Sequence, residues 1–192
     1  MKKQVLFIIF LFVVFGQVYA QQTFQYKNID VKNQAKTERN KFDLGLGLGI
    51  EYSGFLGAQL EYAPISRLGL FASGGFFLVG AGWEVGAKAY IIPKVVSKSF
   101  RVYATGMYGT NTAIMIIDAS EYNKIYTGPT FGAGMEIRFG REKVNGINVA
   151  LLYPIRSQEY ENDVDALNRN PYIESLEEPF PVGISVAYHR EF

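Results

Sequence analysis

The sequence predicts an all-β fold, an eight-stranded antiparallel up-and-down transmembrane β-barrel, and three observations carry that reading. Apolar residues alternate with small or polar ones through successive segments separated by turn-forming stretches. The 192 residues include 20 Gly, 13 Tyr and 15 Phe, with 48% hydrophobic and only 19% charged residues, a balance foreign to disordered chains and helical bundles alike. Beyond the N-terminal segment no apolar run is long enough for a spanning helix. A membrane crossing would therefore need a closed barrel, the other form that satisfies every backbone polar group.

Residues 1–20 read as a signal peptide. Lys2 and Lys3 precede an apolar run from Val5 to Phe15, followed by Gly16-Gln17-Val18-Tyr19-Ala20, with cleavage expected after Ala20. The run is too short for a spanning helix, which needs about 20 apolar residues. Residues 21–41 carry five Lys/Arg against Asp30 and Glu38 and show no apolar period, as expected of a polar periplasmic leader. The barrel is expected over residues 42–192.

In the first segment Phe42, Leu44, Leu46, Leu48, Ile50 and Tyr52 share one face, and Asp43, Gly45, Gly47, Gly49 and Glu51 the other. Ser53-Gly54 marks a turn into a second run, Leu56, Ala58, Leu60 and Tyr62 opposite Gly57, Gln59 and Glu61, which ends at Pro64. Further strands are expected from Leu68 to Leu78, Ala81 to Ile91, Phe100 to Tyr108, Tyr126 to Phe139, Ile147 to Tyr153 and Val182 to Phe192. The third is irregular, because Phe71 and Phe77 fall on its polar face. The sixth is clear, with Phe131, Ala133, Met135, Ile137 and Phe139 opposite Gly132, Gly134, Glu136 and Arg138, and Pro129 near its start.

Alternation alone does not say which face is outside. The polar face is mostly Gly, Ser and Thr, which suits the narrow lumen of a small barrel better than a water-exposed surface. On the apolar face Phe42, Tyr62, Phe100, Phe139, Tyr188 and Phe192 lie near one end, and Tyr52, Tyr126 and Tyr153 near the other. Two aromatic girdles bounding an apolar band mark a lipid-facing surface.

On these residues the chain from Phe42 to Phe192 resembles the small Gram-negative outer-membrane β-barrels of the OmpA/OmpX type, a porin-like family. The most specific element is the last strand, Val182-Gly183-Ile184-Ser185-Val186-Ala187-Tyr188-His189-Arg190-Glu191-Phe192. Its terminal Phe192 and alternating Ile184, Val186 and Tyr188 look like the signal read by the barrel-assembly machinery. Arg190 departs from that pattern, where the family usually has an apolar residue. The resemblance implies an outer-membrane location with both termini periplasmic. It also implies contact with outer-membrane lipids and lipopolysaccharide, and leaves room for a place in a larger outer-membrane complex.

With that topology the two longest connections, 113–125 and 156–181, would be extracellular. The longer holds seven acidic residues against Arg156 and Arg169. Its alternating Glu159, Glu161, Asp163 and Asp165 are weak metal candidates, since the spacing lacks the glycine and bidentate glutamate of a calcium hand. A solvated acidic loop is the reading preferred.

Cysteine is absent and His189 is the lone histidine, which removes disulfides, thiolate sites, cysteine nucleophiles and multi-histidine metal centres. No basic stripe suggests nucleic acid, and no phosphate-cradling motif suggests a cofactor. The family's lipid-modifying members use a His, a Ser and an acid near the upper barrel, whereas His189 should point inward near the periplasmic end. No catalytic residues are therefore assigned. The inward charges are Asp43, Glu51, Glu61, Glu84, Lys88, Arg101, Glu136, Arg138, His189 and Glu191. Of these, Glu84, Lys88, Arg101, Glu136 and Arg138 are expected to form a salt-bridged plug, the alternative being the lining of a narrow pore.

Overall fold

The computed structural model describes residues 40–94, 99–116, 122–169 and 179–192. The expected signal peptide, the leader as far as residue 39 and parts of both long connections lie outside the described residues. Eight antiparallel strands close on themselves in sequence order. They are β1 (Phe42–Gly49), β2 (Gly54–Ile65), β3 (Leu68–Phe77), β4 (Gly80–Tyr90), β5 (Phe100–Ile114), β6 (Lys124–Phe139), β7 (Asn145–Pro154) and β8 (Gly183–Glu191). One α-helix, α1 (Gln158–Asn168), follows β7. No described helix is long and apolar enough to cross a membrane.

The barrel closes where β1 meets β8, with Asp43 opposite Glu191 and Leu48 opposite Val186. Phe42 and Phe192 complete the seam by exchanging backbone hydrogen bonds of 3.2 and 2.9 Å. Closure gives every strand a hydrogen-bonded neighbour on both sides, which removes the open edges of a flat sheet. The alternation seen in the sequence is the alternation of the two faces. Along β1, Leu44, Leu46 and Leu48 are about half exposed while Asp43 is 2% exposed. The outward face continues through Leu60, Leu70, Val85, Met135, Ile137, Leu151 and Ile184, all exposed. Glycines on the inner wall make room for large side chains. At Gly134 a Cβ would come within 2.4 Å of the Tyr103 ring, so the ring lies flat across that strand.

Phe42, Tyr62, Phe100, Phe139, Tyr188 and Phe192 do ring the terminal end of the outer surface, and Tyr153 is exposed toward the other end. Two expected girdle members are instead inside. β1 stops at Gly49, whose φ of 100° lets the chain leave the sheet into a 3-10 turn over Ile50–Tyr52, and Ser53 ends that turn in the left-handed region. The turn folds Tyr52 and Glu51 over the lumen, both at 0% exposure. Tyr126 faces inward because it shares the parity of Gly128 and Thr130 on β6.

β5 runs six residues past its expected end and β6 starts two residues before its expected start, and together they form the tallest hairpin, 15 and 16 residues long. A bulge between Thr110 and Thr112 resets its register. The upper part of this hairpin receives α1. Ser157 caps the helix by accepting from the Tyr160 N–H at 3.2 Å. Tyr160, Val164 and Leu167 then pack on Ile114 and Tyr126, with the Tyr126 and Tyr160 rings edge to face. The acidic loop expected here is thus a docked helix over residues 158–168, and the acids divide between its faces.

Candidate functional site

The lumen is where the sequence concentrates its chemistry. At the terminal end the side chains of Asp43 (β1), Glu136 and Arg138 (β6), and His189 and Glu191 (β8) meet. Arg138 Nη2 pairs with Asp43, with Glu136 at 3.1 Å and with Glu191 at 3.2 Å. Arg101, directly across the ladder from Glu136, pairs with Glu191 at 2.5 Å and Glu136 at 3.3 Å. Lys94, from the connection after β4, reaches Glu61 at 2.8 Å, Asp43 at 3.2 Å and Glu191 at 3.5 Å. The Tyr90 hydroxyl bridges this group by donating to Glu136 at 2.7 Å, with Glu61 2.9 Å away. In a low-dielectric interior each charge needs this kind of compensation.

One layer further in, Lys88 pairs with Glu51 at 2.8 Å and Glu61 at 3.5 Å, and donates to Gln59 Oε1 at 2.9 Å. The Tyr103 hydroxyl donates to Asn148 Oδ1 at 2.7 Å, and its ring lies beneath the Lys88 ammonium. Phe71, Tyr90, Tyr103, Met107, Ala150 and Leu152 fill the remaining space as an apolar cluster.

Of the five residues expected to form the plug, Arg101, Glu136 and Arg138 come together at the terminal end. Lys88 belongs to the next layer, joined to them through Glu61 and Lys94. Glu84 stands apart: it is 1% exposed, and among the described residues neither of its carboxylate oxygens has a hydrogen-bond partner. Placing Glu84 in one network with the other four is therefore corrected. It pairs across the ladders with Ser73 and Gly109, two inward positions nearer the helix end than Lys88.

Lys94 and the phenols of Tyr90 and Tyr103 were not anticipated. Lys94 continues the inward parity of Lys88 and Tyr90, and inward carboxylates outnumbered inward cations, so the deficit pointed to a missing base.

Asp43, Glu136 and His189 bring one ligand atom each within 4.8 Å of the others, a spacing that suits a metal ion. The Arg138 guanidinium already lies among them, on both carboxylates and 3.4 Å from His189 Nδ1. The trio is thus organised around a guanidinium.

The acidic candidates on α1 do not converge. Glu159 and Asp163 face Lys124 at 2.8 and 2.7 Å, and Asp163 also accepts from the Tyr126 hydroxyl at 2.8 Å. The hydrogen bonds from Lys124 and Tyr126 hold the Asp163 carboxyl below its usual range. Glu161 and Asp165 are exposed on the outer face. A loop with alternating acids could wrap an ion, but helical spacing sends positions i and i+2 to different faces. Between α1 and the hairpin lies a pocket of about 360 Å³ lined by Tyr122, Lys124, Tyr126, Asp163 and Leu167 among others.

Neither a family model nor a curated protein matches the chain. Among solved structures it is similar to a chain described as "De novo design of transmembrane beta-barrels", with a TM-score of 0.46 and 13% identity over 81% of this chain and 98% of that one.

Proposed function

We propose that the protein is an integral outer-membrane barrel of the OmpA/OmpX kind. In this reading its lumen is closed by an ion-pair plug, it has no enzymatic role, and it presents an acidic, helix-bearing face outside the cell. The observation that carries the reading is the inversion of the usual partition. Large apolar side chains cover the outside, while Asp43, Glu51, Glu61, Lys88, Lys94, Arg101, Glu136, Arg138 and Glu191 are buried within. In water such an outer surface far exceeds the apolar patches that monomeric proteins expose. In a bilayer it is the favourable arrangement, because the apolar band meets hydrocarbon and the strands pair their backbone internally.

A non-enzymatic role is supported by the setting of His189. It is buried beside Asp43 at the terminal end, with Nδ1 3.2 Å from both carboxylate oxygens, and the Arg138 guanidinium lies beside the same carboxylate. Among the described residues the His189 Nε2 has no hydrogen-bond partner, so no nucleophilic hydroxyl stands where a general base would act. In this orientation Glu161 and Asp165 on the outer face of α1 are available to cations bound to lipopolysaccharide or to a basic patch on a membrane partner. The barrel-assembly machinery would read Tyr188 and Phe192 during insertion.

The test has two arms. Expressed in a Gram-negative host, the chain should fractionate with outer membranes and migrate faster on gels when unheated, and recovery as a soluble periplasmic protein would overturn the reading. In planar bilayers the wild-type barrel should show no sustained conductance at neutral pH. A stable open channel would favour a narrow pore, the second reading, which draws on the sparsely paired half of the lumen around Glu84.

A further inference from the structure

Acidic side chains outnumber basic ones inside the barrel. Among the described residues six carboxylates are buried, Asp43, Glu51, Glu61, Glu84, Glu136 and Glu191, against four cationic side chains, Lys88, Lys94, Arg101 and Arg138. Five of the six carboxylates lie within 4.0 Å of at least one of those cations. The sixth is Glu84. Even a charged His189 would leave one negative charge over, and His189 is at the other end of the lumen beside Asp43.

Buried polar side chains stand on the strands around Glu84, Ser73 opposite it on β3 and Asn111 and Thr130 on β5 and β6. Its side chain lies over Gly109 of β5, where an added Cβ would meet Glu84 Cγ at 2.8 Å. Gly109 pairs with Gly128 of β6, and over Gly128 lies the amide of Asn111, with Nδ2 2.8 Å from where a Cβ would stand. Two bare glycines on adjoining strands, about 5 Å apart, thus leave a floor on which Glu84 and Asn111 lie side by side. Asn111 Nδ2 donates to the Ile155 carbonyl at 3.0 Å, and its Oδ1 has no partner among the described residues. Thr130, the next inward residue of β6, is 1% exposed with an unpartnered Oγ1. The nearby hydroxyls are already engaged, Thr110 Oγ1 by the Trp83 N–H and Ser73 Oγ with Ser53 Oγ.

We propose that the helix-end half of the lumen binds a monovalent alkali cation, Na⁺ or K⁺, on the Glu84 carboxylate, with Asn111 Oδ1 and Thr130 Oγ1 as neutral oxygen donors. Oxygen-only donors select a hard cation. A single carboxylate selects low charge, because calcium sites gather six to eight oxygens, and magnesium sheds water reluctantly and demands octahedral geometry. The ion would compensate a carboxylate that is otherwise buried alone. The site does not depend on which membrane the barrel occupies, so its test is separate from those of the functional reading.

The experiment uses the purified full barrel in zwitterionic detergent at constant ionic strength, exchanging N-methylglucamine chloride for NaCl or KCl and following thermal unfolding. The wild-type midpoint should rise by about 3 to 5 °C per tenfold increase in alkali cation once the site fills. Glu84→Gln should abolish the rise, and Lys88→Met should keep it while unfolding at a lower temperature. Line broadening of ²³Na in the presence of wild-type barrel should be relieved by K⁺. Equal midpoints in all three salts, or ²³Na spectra unaffected by the barrel, would overturn the site and leave Glu84 a buried neutral acid. A full response retained in Glu84→Gln would place the ion elsewhere and overturn it equally. If Glu84→Gln does not fold, Thr130→Val decides: a titration shifted at least fivefold to higher cation supports the site, and an unshifted one refutes it.

Discussion

Replacing Lys88 by Met removes the ammonium from the middle layer while keeping most of the volume of its stem, so little of the effect comes from a cavity. Glu61 would still hold Lys94 at 2.8 Å. Glu51 would not be so served, since its ion pair among the described residues is with Lys88 at 2.8 Å. It would keep only neutral partners, the Tyr103 hydroxyl at 3.2 Å and Asn148 Nδ2 at 3.3 Å. Breaking a buried pair from one side costs about 3 to 5 kcal/mol, and the desolvated cation–π contacts to Tyr103 and Phe71 add about 2 kcal/mol. At roughly 2 to 4 °C per kcal/mol for a domain of this size, the unfolding midpoint should fall by about 10 to 28 °C. The assay is a heat-modifiability gel series, supported by circular dichroism in detergent. Adding Glu51→Gln to Lys88→Met should recover at least half of the loss, because the penalty is the orphaned charge rather than the missing contact. A midpoint within 2 °C of wild type, or a double variant no better than the single, would refute the reasoning.

Arg138→Ala should cost less than Lys88→Met, because Asp43 keeps Lys94 while Glu136 and Glu191 keep Arg101; the same gels rank the two, and a planar-bilayer rise in conductance would accompany loosening of the plug. Deleting Phe192 removes both the seam hydrogen bonds to Phe42 and the end of the assembly strand, so folded outer-membrane yield should drop and periplasmic chain accumulate on fractionation. A tag inserted at Asn168 should label on intact cells and one at Lys36 should not, and labelling in the reverse pattern would invert the topology. The Asp163 carboxyl is held below its usual range, so its contribution to docking α1 is complete above the undocked value near 3.9 and lost as pH falls through the lower docked value. Amide exchange of α1 should therefore accelerate only in acid, and modestly, since the pair is solvent-exposed and the Tyr160, Val164 and Leu167 contacts remain.

Much of this architecture was legible because a strand has a period of two, and the period sorts residues by face without any knowledge of the fold. Phe42 through Leu48, Leu56 through Tyr62 and Phe131 through Phe139 face as their parity requires. Parity does not give depth. Glu84 and Lys88 are both inward on β4, yet the ladder sets Glu84 beside Ser73 and Gly109, and Lys88 beside Gly69 and Thr105. That offset of two inward positions separates an orphan carboxylate from a paired lysine. Parity also fails where the chain leaves the sheet, as at Gly49, after which Tyr52 turns over the lumen. The helix was hidden by its charges: Glu159, Glu161, Asp163 and Asp165 suggested a period of two. The apolar positions Tyr160, Val164 and Leu167, behind the capping Ser157, carried the helical period that packing enforces.

The two halves of the lumen are built on different rules, and this decides where any change of state would act. At the terminal end every carboxylate is within 4 Å of a cation and several cations serve more than one, so Lys94, Arg101 and Arg138 form a mesh in which no single bond is decisive. Opening a path there requires several buried charges to exchange partners together, which is costly in a medium that solvates them poorly. Toward the helix end the polar atoms are less densely paired, and α1 is held to the upper β5–β6 hairpin by one apolar cluster and the exposed ion pairs of Lys124. Substitutions in α1 should therefore loosen the helix from the hairpin without unfolding the barrel. Substitutions in the mesh should move stability and conductance together, because the same ion pairs close the lumen and tie its walls to one another.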